Sequence, residues 1–432
     1  MLPTPAGTAR PTGMIGRMRR RLLVVAGLVL LAGLATAYYV SKHRFGGDVR
    51  GSSTEFVRTQ TVAAPAARES LVSPMFGGEP QRLHVSVGRL RPPYRLDWVA
   101  EGTSLVEFPP AIGFHYLYYA TFSGNFIAVS TRTGRRLWTV RVHRCEAASP
   151  AVTRLHRGTV FEDFLNRQPC GKGAATRGDG EVLGIAAGRP HTVRWRKRIG
   201  ATETSPLIVG NRLYVGDAQG NVYCLNERDG KTLWHYRVGA AVKGALAYDR
   251  GDVFFGAYDG HLYALRAKTG KLVWQASSAS PIFGSRGKFY STPAVAYSRV
   301  YLGSTDGKVY SFGEKSGELR WATGTGGYVY GSPAVWDGTV YVGSYSHVFF
   351  ALNAATGAIE WTFEANGKIS GSATVVNGIV YFATLKRRTY ALDARTGKEV
   401  WTWNDGSFTP VVTDGSKLYL VGWGKIYAFS PR

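Results

Sequence analysis

The hydrophobic pattern of this chain is a succession of four-residue apolar segments separated by polar, glycine-containing turns. The segments are rich in aromatic and β-branched residues, which is typical of short strands buried on both faces. They come in consecutive pairs. The first of each pair is LYYA at Leu117, LYVG at Leu213, VFFG at Val253, VYLG at Val300, VYVG at Val340, VYFA at Val380 and LYLV at Leu418. The second is FIAV at Phe126, VYCL at Val222, LYAL at Leu262, VYSF at Val309, FFAL at Phe349, TYAL at Thr389 and IYAF at Ile426.

A tryptophan follows each of these pairs except the last, four residues after the glycine of a tight turn, with a period of about 40 residues. This spacing places the tryptophan on a further strand that follows the turn. The complete copies are Gly134 with Trp138, Gly230 with Trp234, Gly270 with Trp274, Gly317 with Trp321, Gly357 with Trp361 and Gly397 with Trp401; Trp98 and Trp195 extend the series. We interpret all eight tryptophans as packing residues between repeats.

A small residue, usually followed by proline, precedes each pair and starts a fourth strand, because proline costs no ladder hydrogen bond at a strand start. The eight starts are Phe108-Pro109, Ser149-Pro150, Ser205-Pro206, Gly244-Ala245, Thr292-Pro293, Ser332-Pro333, Ser372-Ala373 and Thr409-Pro410. Four antiparallel strands repeated eight times predict an all-β fold, an eight-bladed β-propeller. The last repeat lacks its outer strand, and Tyr94–Val99 is predicted to supply it and close the ring.

The N-terminal part differs from the repeats and predicts four regions: a basic cytoplasmic segment (1–21), a transmembrane helix (22–40), a spacer (41–92) and the propeller (93–432). Residues 22–40 carry no charge and follow Arg17 and Arg19–Arg21, which favours a membrane anchor with the propeller outside the cytoplasm. The alternative is a signal peptide cleaved after Ala37, which gives a secreted protein. Within the spacer, residues 83–87 are expected to add a short strand to the outside of the domain.

The chain has 432 residues and a formal net charge of +24, of which eight basic residues and one acidic residue lie in the first fifty. A basic surface favours anionic partners, or serves solubility alone. Nucleic acid is not expected, because the propeller is predicted to lie outside the cytoplasm.

Three cysteines are present. Cys224 occupies a small, buried strand position and is expected to be inert. Cys145 and Cys170 fall in two loops that a propeller brings to one face, which predicts a disulfide in an exported protein, with two free thiols as the alternative.

The segments ALRAKTGKLVW from Ala264, ALNAATGAIEW from Ala351 and ALDARTGKEVW from Ala391 resemble the repeat of the quinoprotein (pyrroloquinoline quinone, PQQ) propellers. The resemblance covers about residues 98–429. Such propellers include quinone-dependent dehydrogenases and non-catalytic propellers of the BamB type. The resemblance to the dehydrogenases implies a pair of adjacent cysteines and a calcium site. The chain has no Cys-Cys pair, and the nearest candidate for a calcium ligand at a strand start is the single carboxylate of Glu107. The BamB-type resemblance implies a lipoprotein, and no lipid-attachment cysteine follows the apolar stretch.

We therefore expect no catalytic, cofactor-binding or metal-binding residue. Zinc, nucleophile-elbow and phosphate-loop motifs are absent. The favoured function is a non-catalytic, membrane-anchored scaffold that binds a protein or ligand in the cell envelope. The alternative is an oxidoreductase that uses PQQ with calcium.

One face is a candidate partner surface, because loops of three neighbouring blades bring basic and aromatic residues to it. Such a surface suits an acidic peptide of an envelope protein or an anionic glycan; solvated loop tips are the alternative interpretation. The candidate residues are Arg286, Lys288, Tyr290, Tyr328, Tyr330, Tyr345, His347, Lys386, Arg387 and Arg388.

Overall fold

A computed structural model of the protein describes residues 13–43, 45–49, 54–58, 71–86, 88–155, 158–167, 170, 179–188, 191–278, 286–408 and 411–432. Residues 1–12 of the predicted basic segment and the predicted strand start Thr409-Pro410 lie outside the described residues. The chain divides into two compact units, residues 1–44 and 45–432.

The first unit contains one helix, α1 (Gly13–His43), whose apolar side chains from Leu23 to Leu34 are exposed. In the described part of the chain, no helix combines the length and the apolar character that a membrane crossing requires. The predicted transmembrane helix at residues 22–40 is therefore not supported.

The second unit begins with four strands that precede the first blade. They are β1 (Phe45–Val49), β2 (Leu71–Ser73), β3 (Val85–Ser86) and β4 (Tyr94–Glu101).

Eight sheets follow in chain order. Blade 1 contains β5 (Ala111–Gly113), β6 (Tyr116–Ala120), β7 (Asn125–Ser130) and β8 (Arg136–Arg141). The short β9 (Arg144–Glu146) leads to blade 2, which contains β10 (Ala151–Thr153), β11 (Thr159–Arg167), β12 (Asp179–Ala186) and β13 (Val193–Gly200). Blade 3 contains β14 (Leu207–Val209), β15 (Arg212–Gly216), β16 (Asn221–Asn226) and β17 (Thr232–Arg237). Blade 4 contains β18 (Ala247–Asp249), β19 (Asp252–Gly256), β20 (His261–Arg266) and β21 (Leu272–Ser277).

Blade 5 contains β22 (Ala294–Ala296), β23 (Arg299–Gly303), β24 (Lys308–Gly313) and β25 (Leu319–Thr325). Blade 6 contains β26 (Ala334–Trp336), β27 (Thr339–Gly343), β28 (Val348–Asn353) and β29 (Ile359–Glu364). Blade 7 contains β30 (Thr374–Val376), β31 (Ile379–Thr384), β32 (Arg388–Asp393) and β33 (Glu399–Trp403). Blade 8 contains β34 (Val411–Thr413), β35 (Leu418–Val421) and β36 (Lys425–Pro431).

Ring closure follows the prediction. Strand β4 pairs antiparallel with β36, with Trp98 opposite Ala428 and Tyr94 opposite Pro431, and becomes the outer strand of blade 8. The eight-bladed propeller with four-stranded antiparallel blades is thus confirmed. Because the early strand completes the last sheet, the edge of β36 is not left open.

Six of the eight blade boundaries are held by an indole that packs under the glycine turn of the next blade. At the boundary between blades 5 and 6, the buried Trp321 donates its Nε1–H to the carbonyl of Ala354 at 3.0 Å. A Cβ on Gly357 would lie 2.6 Å from the Trp321 ring, and Gly357 has a φ of +71°. The same contact joins Trp98 to Gly134, Trp195 to Gly230, Trp234 to Gly270, Trp274 to Gly317 and Trp361 to Gly397.

Trp138 and Trp401 have other partners at their boundaries. Trp138 stacks on His191 with ring centroids 5.3 Å apart. Trp401 packs edge-on against Tyr94 at 5.4 Å. These indoles also lie between blades, but they contact side chains in place of a glycine turn.

Residues 71–86, placed in the spacer from sequence, form a loop inserted into the central channel, which we call the axial loop. It ascends as β2 beside β5, turns at Gly77 and Gly78, and descends as β3 parallel to β30. The expectation that a strand at residues 83–87 lies outside the domain is wrong, because β3 pairs with an innermost strand. Strand β1 does extend the outside of a blade, as a fifth strand next to β25.

The axial loop satisfies hydrogen-bonding groups that the innermost strands direct into the channel. Its carbonyls at Pro74, Pro80, Gln81, Leu83 and His84 accept the backbone N–H groups of Val152, Tyr248, Val295, Val335 and Val375 respectively. Arg82 is fully buried, and its guanidinium donates to the carbonyls of Phe76, Ser205, Pro206 and Leu246. The loop thereby joins most blades at the axis.

Replacing Gly357 with alanine should lower the free energy of unfolding by about 3 kcal/mol. About 1 kcal/mol reflects the left-handed backbone, and the rest reflects displacement of the Trp321 ring. The matched control is Gly338→Ala, because Gly338 has a φ of +80° and no atom within 4 Å of the added Cβ. Denaturant unfolding of both variants measures the difference. Equal losses would contradict a stabilising role for the contact.

Candidate functional site

The candidate site lies on the upper face of the propeller, defined as the face at which the innermost strands begin. The hairpins between the second and third strands of each blade reach the same face, because successive strands are antiparallel. The glycine turns before the outer strands lie on the opposite, lower face. The upper face contains a cavity on the propeller axis and, beside it, a group of aromatic rings and lysines.

The axial cavity has a volume of about 80 Å³, which is room for a few heavy atoms. Phe76 of the axial loop lines it, and the other lining residues lie at or just before the innermost strands. They are Glu107, Phe108, Pro109, Glu203, Ser205, Lys243, Gly244, Ala245, Tyr290, Thr292, Tyr330, Gly331, Ser332, Ser370, Gly371, Ser372 and Phe408.

Hydroxyl groups of the Ser/Thr strand starts connect neighbouring blades around this cavity. Thr292 accepts the backbone N–H of Ala245, Ser332 accepts that of Thr292, and Ser372 accepts that of Ser332, at 2.9–3.0 Å. Ser205 likewise accepts the N–H of Ser149 at 2.9 Å. The small residue before the proline was interpreted from sequence only as a strand start. The recurrence of Ser or Thr at this position is the sequence signal that could have indicated a hydrogen bond to the neighbouring blade.

An ion pair and a second carboxyl provide the charges of the axial cavity. Lys243 Nζ lies 2.7 Å from Glu203 Oε1, and the Tyr290 hydroxyl donates to Glu203 Oε2 at 3.1 Å. Burial, followed by the charge of Glu203, raises the pKa of Glu107 to about 7. Burial and the nearby Glu203 and Glu107 raise the pKa of Tyr290 well above its usual value. The Tyr290 phenol therefore stays protonated and acts as a donor.

Further buried acids lie in blade 2, on β9 and β11. Burial raises the pKa of Glu146, Glu162 and Asp163 well above the usual values. Glu146 Oε1 accepts the N–H of Ala148 at 2.6 Å. The sequence analysis did not single out these acids. Among the described residues, no group of three His, Cys, Asp or Glu has the arrangement that could hold a metal ion.

Tyrosines from neighbouring loops form a chain of ring contacts beside the cavity. The centroid of Tyr290 lies 6.3 Å from that of Tyr258 and 5.4 Å from that of Tyr330. Tyr345 lies 5.0 Å from Tyr330 and 6.1 Å from Tyr328. The structure thus brings together four predicted residues, namely Tyr290, Tyr328, Tyr330 and Tyr345, and adds Tyr258.

Three lysines contact these rings. Lys243 and Lys288 lie 5.6 and 5.3 Å from the centroid of Tyr258, and Lys368 lies 5.3 Å from that of Tyr345. Of these, only Lys288 was predicted from sequence. Lys243 and Lys368 were missed, although each lies in a loop that leads to an innermost strand, as Lys288 does. We call the five tyrosines and three lysines the aromatic–lysine surface.

The remaining predicted residues are engaged elsewhere. Arg286 donates to Ser277 Oγ at 3.0 Å and lies 3.2 Å from His261 Nε2. His347 occupies a tight turn with a φ of +72°. The structure therefore does not group Arg286 with the tyrosine chain.

The three residues of the predicted basic turn Lys386–Arg388 make different contacts. Arg387 pairs with Asp405 at 3.2 Å and lies over the Trp423 ring. Arg388 lies over the ring of Tyr390 at 5.1 Å. Lys386 lies against Gly367, next to Lys368. Lys386 is thus the residue of this turn nearest to the aromatic–lysine surface.

The predicted disulfide is confirmed. Cys145 and Cys170 are bonded, with Cα atoms 5.5 Å apart, and close a loop between residues 25 positions apart. Cys224 is a buried free thiol.

The fold and the upper-face cavity define a PQQ-type propeller, and comparison with known proteins agrees. The sequence model of the family described as "Outer membrane protein assembly factor BamB" matches residues 177–327 and 323–432. The chain belongs to this family. No curated protein matches it.

Solved structures show the same fold at low identity. BamB from Moraxella catarrhalis is 17% identical, with a TM-score of 0.63 over 78% of this chain and 99% of that one. A europium-containing methanol dehydrogenase is 12% identical, with a TM-score of 0.70 over 84% and 98% of the two chains. Quinohemoprotein alcohol dehydrogenase ADHIIG from Pseudomonas putida HK5 is 13% identical, with a TM-score of 0.69 over 87% and 82%. These likenesses show the fold alone.

The described residues of the axial cavity do not fit a calcium–quinone group. Calcium requires six to eight oxygen ligands with several carboxylates. Only two carboxylates line the cavity in the described part of the chain, and Lys243 and Tyr290 already engage that of Glu203. We therefore derive no chemical step through a quinone.

Replacing Glu107 with glutamine should stabilise the protein in a pH-dependent way. Between pH 4.5 and about 7 the folded protein keeps a proton that the unfolded chain releases, so the wild-type free energy of unfolding falls as pH rises. The variant should lack this fall and gain up to about 3 kcal/mol at pH 8 relative to pH 4.5. Denaturant unfolding at pH 4.5 and pH 8 measures the change in the free energy of unfolding, with the exposed Glu101→Gln variant as the control. A pH-independent difference would contradict the assignment.

Proposed function

We propose that this protein is a non-catalytic interaction platform of the cell envelope, which presents its upper face to an acidic segment of a partner protein. The aromatic–lysine surface carries the proposal. Its rings and ammonium groups come from the loops of blades 4 to 7, so an extended segment can contact several blades at once. Ammonium groups over aromatic rings suit carboxylates flanked by apolar groups.

Membership of a family described as an outer membrane protein assembly factor supports a role in the envelope. A rigid ring with variable loops also suits a binding function, because residues on loops can change without disturbing the blades.

Location outside the cytoplasm is part of the proposal. The disulfide between Cys145 and Cys170 supports it, since such bonds persist in oxidising compartments. Attachment through the N-terminal helix, or release after cleavage, stays a prediction.

The partner surface is tested by reversing charge at Lys288 and Lys368, both exposed. The double variant Lys288→Glu/Lys368→Glu should reduce recovery of crosslinked partners in cells at least about tenfold, because it places carboxylates where the partner's acids bind. Lys268→Glu/Lys398→Glu is the matched control, with the same charge change at exposed turns of the lower face. Equal recovery from both variants would overturn the proposal. Serine at Lys386, Arg387 and Arg388 tests the predicted turn in the same assay.

The location is tested by the mass and the thiol content of the protein recovered from cells. We expect one free thiol, that of Cys224, before reduction and three after it. An intact mass with recovery in the membrane fraction supports an anchor, whereas loss of about 37 residues supports cleavage. Three free thiols in the native protein from cells would contradict an oxidising compartment.

A quinone-dependent oxidoreductase is the second candidate, favoured by the two dehydrogenases of the same fold. A quinone absorbance band retained after addition of PQQ and calcium, with dye reduction by an alcohol, would support it over the platform.

A further inference from the structure

The axial cavity differs in chemistry from the basic surface beside it. Among the described residues, its charged lining consists of two carboxyl groups, Glu107 and Glu203, and one ammonium, Lys243. With both carboxyl groups ionised, the lining has a net charge of −1. The rim outside it carries the exposed Lys288 and Lys368. A negative pocket therefore lies within a positive face.

We propose that the axial cavity binds an alkylammonium group, supplied either by a free amine or by a lysine side chain of a partner. This inference does not require that the aromatic–lysine surface bind a partner. It concerns the carboxyl groups of Glu107 and Glu203, which are not part of that surface.

The shape of the cavity suits a short alkyl chain that ends in a charge. Phe76 of the axial loop, Phe108 and Phe408 contribute apolar surface for methylene groups. Because the axial loop occupies the channel below, a ligand enters from the upper face. The volume of about 80 Å³ accommodates a chain of about four to six heavy atoms.

The protein already binds one ammonium group in this cavity. Lys243 lies 2.7 Å from a Glu203 oxygen and 5.6 Å from the centroid of the Tyr258 ring, with its side chain only 16% exposed. This pairing of a carboxylate with an aromatic ring is how proteins recognise ammonium ligands. Glu107 adds a second carboxyl to the lining that also contains Phe108 and Tyr290.

A cation fits better than an anion or a divalent metal ion. An anion would face the charges of Glu107 and Glu203. A divalent ion would need more oxygen ligands than these two carboxyl groups provide in the described part of the chain. A monovalent ammonium needs one carboxylate and a few hydrogen-bond acceptors.

Titration of Glu107 gives the binding a recognisable pH dependence. Glu203, Lys243 and Tyr290 line the same cavity, and Glu146 lies close enough for its charge to interact with that of Glu107. Burial and Glu203 bring the pKa of Glu107 to about 7. A bound ammonium stabilises the ionised carboxylate, so binding should strengthen as pH rises from 6 to 8 and release a proton near pH 7.

Isothermal titration of the full-length protein with butylammonium tests the inference. We expect about tenfold tighter binding at pH 8 than at pH 6, and at least tenfold tighter binding than 1-butanol. Glu107→Gln, which we expect to fold more stably than the wild type, should lose both effects, and Glu101→Gln should keep them. A capped Gly-Lys-Gly peptide and its norleucine counterpart distinguish the sources of the ammonium group.

The titrations distinguish the two sources of the ammonium group and can contradict the inference. Binding of the lysine peptide but not of butylammonium assigns the site to a partner's side chain, and the reverse assigns it to a small amine. The inference is overturned if neither probe binds, if 1-butanol binds as tightly as butylammonium, or if Glu107→Gln binds like the wild type. None of these results depends on the charge-reversal assay of the upper face, so the two proposals can fail separately.

Discussion

The packing of an indole beneath a glycine of the neighbouring blade is the contact on which the rest of this structure depends. A four-stranded blade cannot bury its own faces, so stability comes from its neighbours. Trp321 fills the space between blades 5 and 6, and its N–H satisfies the carbonyl of Ala354. Only glycine fits above the ring, because any Cβ at Gly357 would overlap the indole. The glycine and the tryptophan of one repeat, such as Gly357 and Trp361, lie four residues apart in the sequence. They nevertheless pack at two successive blade boundaries.

The axial loop adds a second constraint at the centre of the ring. The innermost strands would otherwise direct unpaired backbone groups into the channel, at a cost for each unsatisfied group. The loop accepts those N–H groups, and Arg82 satisfies carbonyls of blades 3 and 4. Because the loop occupies the channel below the axial cavity, the chemistry of the cavity is that of the strand starts around it.

The upper face thus combines two chemistries that share Tyr290 and Lys243. The Tyr290 ring contacts Tyr258 and Tyr330, while its hydroxyl donates to Glu203 in the cavity. Lys243 likewise contacts the Tyr258 ring and the Glu203 carboxylate. A ligand in the cavity and a partner on the aromatic–lysine surface would therefore contact the same loops.

The sequence by itself determined the repeat, the number of blades, the closing strand and the disulfide, because each leaves a local or periodic trace. Apolar four-residue segments mark strands, glycine marks the turn, and the absent last strand identifies Tyr94–Val99 as its replacement. It also placed four tyrosines on one face, since propeller topology fixes where loops emerge. Trp98 and Trp195 could be assigned because the period continued through them.

Only the tertiary structure decided the path of residues 71–86 and the composition of the cavity. The axial loop has no periodicity, and its contacts join residues more than one hundred positions apart, such as Arg82 with Ser205. The pairing of Glu203 with Lys243, and the approach of Lys368 to Tyr345, depend on the curvature that brings blades together at the axis. Arg387 looked like a surface cation in the sequence, yet Asp405 engages it. Long-range proximity of single charged residues leaves no periodic pattern, so it is decided by the closed ring.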